Sequence, residues 1–121
     1  METTSKALKS PQILNDIDRM LEIAANAVAS SLSPLRDSDI SPRGYRLATM
    51  KMMNACYVLR SLEHIKGSIS CMCDTAIKNE IQHHLSQLTS KGTPNLPDCI
   101  SFAQGTLVLC LSFLMEKYFT E

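Results

Sequence analysis

The chain has 121 residues, 45% of them hydrophobic and 20% charged, the composition of one globular domain able to bury a core without disulfide or metal. Twelve Lys and Arg balance twelve Asp and Glu, so no net field draws the whole molecule toward nucleic acid or anionic lipid. Five cysteines, an odd number set mostly in apolar runs, fit free thiols, and Met1–Ser10 has no apolar run of the kind a secretory signal uses; the expected setting is cytoplasm or nucleus.

The pattern predicts an all-α fold: a four-helix, roughly antiparallel bundle over residues 10–121, behind a flexible, disordered N-terminal tail at 1–9. Ser10-Pro11 opens the first helix, with Ser offering a cap and Pro where its missing N–H costs nothing. Ile13, Ile17, Met20, Leu21, Ala24, Val28 and Leu32 recur every three or four residues and form one apolar side. Asp16, Asp18, Arg19, Glu22 and Asn26 are left mostly to water. Ser33-Pro34 is expected to end this helix near residue 32, with a polar connector over Leu35–Ile40.

Ser41-Pro42 repeats the cap chemistry and starts a second helix, expected to stop at Gly67. Its core side is Leu47, Ala48, Ala55, Val58, Leu59, Leu62 and Ile65. A third helix is expected to start at Ser68, with Asp74 as the alternative start, and keeps Ile69, Met72, Ala76, Ile77, Ile81, Leu85 and Leu88 on one side through Ser90. Gly92–Pro97 is a turn that no helix crosses, after which Asn95 or Asp98 caps a fourth helix over about residues 97–119.

The fourth helix differs from the others: Cys99–Met115 is seventeen residues without a charge. A helix apolar on every side must be surrounded, so this one is expected at the centre of the bundle or in an oligomer interface. A tail-anchored membrane span is the weaker option. The length is at the bottom of the spanning range and is diluted by Ser101, Gln104, Gly105, Thr106 and Ser112.

Cys71-Met72-Cys73 with His83 and His84 is the nearest approach to a metal site, and Cys56, Cys99 or Cys110 could complete a set. A one-residue gap turns two thiols about 200° apart on a helix, so only an unwound segment brings both to one ion. Small buried thiols are the simpler account, and no metal is expected. Glu80-Ile81-Gln82-His83 matches one Glu-x-x-His unit of di-iron bundles, without the second copy those sites need. No nucleophile–base pair, paired carboxylates or glycine-rich phosphate loop can be read, so neither enzymatic activity nor a cofactor is expected.

Binding surfaces remain. Apolar excess on the second and fourth helices predicts non-enzymatic protein–protein interaction, with itself or with another protein. The expected contact residues are Met50, Met53, Tyr57, Leu111, Phe113, Leu114 and Tyr118. A viral accessory protein and a small subunit of a cellular complex both fit that role. The alternative is double-stranded RNA binding of suppressor type through Arg43, Arg46, Lys51 and Arg60, although the balanced charge argues against it. Ser33 and Ser41 precede prolines, and Ser33-Pro34-Leu35-Arg36 fits the preference of proline-directed kinases. Cap and stop roles account for the same residues.

Overall fold

The computed structural model describes residues 9–89 and 98–120. Within them are four helices and no strand: α1 (Ser10–Leu35), α2 (Pro42–Ile69), α3 (Asp74–Thr89) and α4 (Asp98–Phe119). The fold is an all-α helical bundle. The expected flexible tail, Met1 onward, the Gly92–Pro97 turn and the Asn95 or Asp98 cap lie outside the described residues or side chains.

Consecutive helices run in opposite directions, and a few polar contacts fix how they line up. Lys66 near the end of α2 meets Asp18 near the start of α1 at 2.5 Å. The Ala103 amide, early in α4, donates to Asn54 Oδ1 in the middle of α2 at 3.0 Å. Lys117 and Tyr118, at the end of α4, meet Asp16 near the start of α1, so α2 and α4 point the same way and both finish beside the start of α1. They form the central pair. α1 packs broadly on α2 and α3 on α4, whereas α1 meets α4 and α2 meets α3 only marginally.

The core follows the helical stripes. Ile13, Ile17 and Ala24 of α1, Val58, Leu62, Ile65 and Ile69 of α2, and Ile77 and Ile81 of α3 are buried. They enclose Ala103, Leu107, Leu111, Leu114 and Tyr118 of α4. Ser31 is buried too, its hydroxyl satisfied by the Ala27 carbonyl one turn back at 2.8 Å. Leu47, expected inside, is exposed because α2 begins before the bundle has neighbours to cover it on that side.

Several helix ends differ from the sequence expectation. Ser10 is the first helical residue rather than a cap; the Lys9 amide reaches the Asp74 carboxylate at 3.2 Å, so a tertiary acceptor does the work of a local one. α1 passes through Ser33-Pro34 and ends at Leu35. The carbonyl that Pro34 leaves without a donor belongs to Ser30, which is exposed and open to water. Gly67 does not stop α2; the helix continues until Ile69 is buried, and the chain turns over Ser70–Cys73 before α3 begins at Asp74. Ser41 does cap α2, accepting from the Gly44 amide at 3.0 Å.

Asp16 ties the start of α1 to the end of α4. Its carboxylate accepts from Lys117 Nζ at 2.8 Å and from the Tyr118 hydroxyl at 2.5 Å. The Lys117 bond first, then the Tyr118 bond, holds the Asp16 carboxyl below its ordinary 3.8, against the opposing effect of burial. Burial, with the Asp16 bond second, pushes the Tyr118 phenol above its ordinary 10.0. The bond to Asp16 likewise raises the Lys117 ammonium.

The depressed Asp16 value means that its contribution is complete above the unfolded-state value and is lost as pH falls through the folded one. The raised Tyr118 and Lys117 values mean the opposite: that contribution is complete below about pH 10 and is lost as pH rises further. Replacing Asp16 with Asn is expected to cost about 1 kcal/mol at neutral pH, after allowing for solvent screening of the lysine. In thermal melts at stepped pH, the gap between wild type and D16N should shrink below about pH 4 and again above about pH 10.

A paired truncation tests which side of α4 is inside. Leu111 is 0% exposed and Leu109 is 72% exposed. Leu111→Ala should cost about 2–5 kcal/mol in denaturant unfolding through transfer and cavity terms, and Leu109→Ala within about 0.5 kcal/mol.

Candidate interaction surface

α4 is not surrounded on every side. Its inner face is sealed, and its outer face carries Phe102 at 75%, Leu109 at 72% and Phe113 at 49% exposure. Spacings of seven and four residues put these three within about 40° of one another around the helix axis. Gly105, Thr106 and Ser112 lie along the same face and leave it low. No described helix is long and apolar enough to cross a membrane, so the uncharged run is explained by packing on one side and an open apolar ridge on the other.

The sequence-predicted contact residues therefore divide. Phe113 is on the ridge, with the Lys117 ammonium 5.5 Å from its ring. Leu111, Leu114 and Tyr118 are a correction: they are core residues, exposed by 0%, 0% and 8%, because they lie on the inner face of α4, where Tyr118 reaches Asp16 of α1. Met50 and Met53 are exposed, as expected of surface methionines, and Tyr57 is half-buried. The structure adds Ile23, Phe102 and Leu109. Leu109 and Phe102 had a signal in their seven-residue spacing, but a helix without charges gives no polar side to say which apolar side faces out.

The marginal contact between α1 and α4 opens a groove floored by α2. Met20, Ile23 and Ala27 form one wall, Phe102, Thr106 and Cys110 the other, and Ala55, Val58 and Leu62 the floor, around a space of about 440 Å³. Lys51 and Asn54 stand at its far end from the Asp16 junction. The groove is almost wholly apolar and runs beside the α4 ridge.

On the other side of α4, a cleft of about 900 Å³ separates α2 from α3. Met53 and Tyr57 line it, together with Arg60, His64 and His84. The His64 and His84 rings meet edge to face at 6.1 Å, and His84 Nε2 lies 3.1 Å from Glu80 Oε2. Glu80 thus engages the histidine four residues on. Met50 belongs to neither concavity; it borders a shallow hollow with Tyr45 and Arg46 at the start of α2.

The basic residues also divide. Arg43, Arg46 and Arg60 are exposed and fall within about 100° around α2. Lys51 is about half a turn from Arg60 and looks into the α1/α4 groove, so the four do not form one stripe.

Cys71 and Cys73 sit in the unwound α2–α3 connection, both exposed and free, which removes the helical separation argued from their spacing. Among the described residues no three of His, Cys, Asp and Glu converge as a metal site would require. Cys56 and Cys110 are half-buried, and burial raises the Cys110 thiol above its ordinary 9.0. Alkylation of the native protein, read peptide by peptide in a mass spectrometer, should modify Cys71 and Cys73 first and Cys110 much more slowly; equal rates would contradict this burial order.

Comparison with family models, curated proteins and solved structures gives no match, so the chemistry of these surfaces stands on its own.

Proposed function

We propose that this chain is a non-enzymatic protein–protein interaction module, a small helical subunit that docks through an apolar helix face. The observation that supports it best is the ridge of Phe102, Leu109 and Phe113 on α4, with Ile23 across the groove. These four side chains offer roughly 500 Å² to water, at about 200 Å² for each fully exposed large side chain. That is the size of patch that commonly marks a binding surface on a small monomer, and burying it is worth several kcal/mol before the costs of association. Free thiols at Cys56, Cys71, Cys73 and Cys110 suit a reducing compartment, cytoplasm or nucleus.

A double-stranded RNA role has narrower support, the exposed arc of Arg43, Arg46 and Arg60 without Lys51. It calls for a shifted band in a gel at low salt that disappears steeply as salt rises.

The interaction reading is tested with the full chain as bait in its native cell, crosslinked before purification. Wild type should retain a protein that Phe102→Ser/Phe113→Ser loses, while the circular dichroism of the two chains stays the same. Equal capture by both chains overturns the assignment of the ridge.

A further inference from the structure

We infer that the α4 ridge is covered by α4 of a second copy of this chain, packed antiparallel about a two-fold axis at Leu109. The inference rests on the interaction reading above and names its partner. Phe102, Gly105, Leu109, Phe113 and Glu116 repeat at intervals of three and four residues, the spacing of a helix–helix seam. A two-fold axis at the central residue makes such a seam face itself, because each position meets the one equally far on the other side.

That register is complementary in shape. Leu109 meets Leu109, and Phe113 of the second copy falls on Gly105. A Cβ added to Gly105 would have nothing within 4 Å in its own chain, so the position is an open seat for a large ring. Glycine in a helix interior is destabilising relative to alanine, a loss that close approach of a second helix would offset. Ile23, 69% exposed, stands across the α1/α4 groove from Phe102.

It is also complementary in charge. Glu116 of the second copy comes opposite Phe102, and Lys51 stands in the groove beside Phe102. Neither Lys51 nor Glu116 has an ion-pair partner among the described residues. The two-fold supplies the pairing twice. The α4 ridge offers roughly 400 Å² of apolar surface per chain, about half of what each partner contributes to a standard interface of about 800 Å² a side. Thr106, Ser112 and the paired charges complete a polar rim.

Sedimentation equilibrium of the full chain, from micromolar to submillimolar concentration, tests the proposal. Wild type should be a dimer. Leu109→Glu sets two carboxylates against each other on the axis and should give a monomer, with helix content unchanged because Leu109 is exposed. Gly105→Leu meets open space in its own chain and fills the seat, and should weaken the dimer at least about tenfold. Glu116→Lys should weaken it about threefold, and adding Lys51→Glu should restore it, which a structural role for either residue alone would not produce. A wild-type monomer throughout the range, or a dimer indifferent to Leu109→Glu, overturns the proposal. If that monomer still captures a protein that Phe102→Ser/Phe113→Ser loses, the ridge serves a different partner and only the second copy is excluded.

Discussion

The direct packing of α4 on α2 governs everything else in this molecule. Ala103 is fully buried and its amide reaches Asn54 Oδ1, so the helices approach closely where small side chains meet. In a square four-helix bundle these two helices would be diagonal neighbours, and each would touch both flanking helices equally. Here they take the centre, and α1 and α3 are pushed to opposite sides. Two consequences follow from geometry alone. Concavities open between α1 and α4 and between α2 and α3, and α4 keeps an outer face that no helix of its own chain covers.

The Asp16 junction fixes how far the α1/α4 groove can open. A carboxylate held by both Lys117 and Tyr118 pins the start of α1 to the end of α4, and Lys9 adds a bond from its ammonium to the Tyr118 carbonyl at 2.5 Å. Toward the other end, α1 and α4 diverge over Ile23 and Phe102. The groove is therefore tied at one end, apolar along its length, and bordered by one lysine at the other. A charged side chain in that position orients a visitor more than it attracts one.

The α2/α3 cleft has a different chemistry. Its histidines, Arg60 and Tyr57 share it with methionines and leucines, and the Glu80–His84 pair occupies one of the few acids nearby. The exposed thiols of Cys71 and Cys73 lie in the connection between α2 and α3. These groups are spread over two surfaces, the cleft and the α2–α3 connection.

The sequence by itself determined that the chain folds as helices, and where most of each stripe lies. Ile13, Ile17, Val58, Leu62, Ile77 and Ile81 are buried at the positions their periodicity assigns, because each of these stripes is backed by polar residues that mark the opposite side for water. Ser41 caps α2 because its cap is local, an interaction across three residues. The ends of α1 and α2 were not legible in the same way. Asp74, distant in sequence, supplies an acceptor for Lys9, and burial of Ile69 carries α2 past Gly67. Only the tertiary structure decided which side of α4 faces out. A run without charges has no polar edge to mark its solvent side, so Leu109 and Leu111 look alike in sequence and differ entirely once α2 has claimed one of them. The placement of Lys51 away from Arg46 and Arg60 was already implicit in the helical angle; that it borders the apolar groove was set by the way α1 and α4 flank α2.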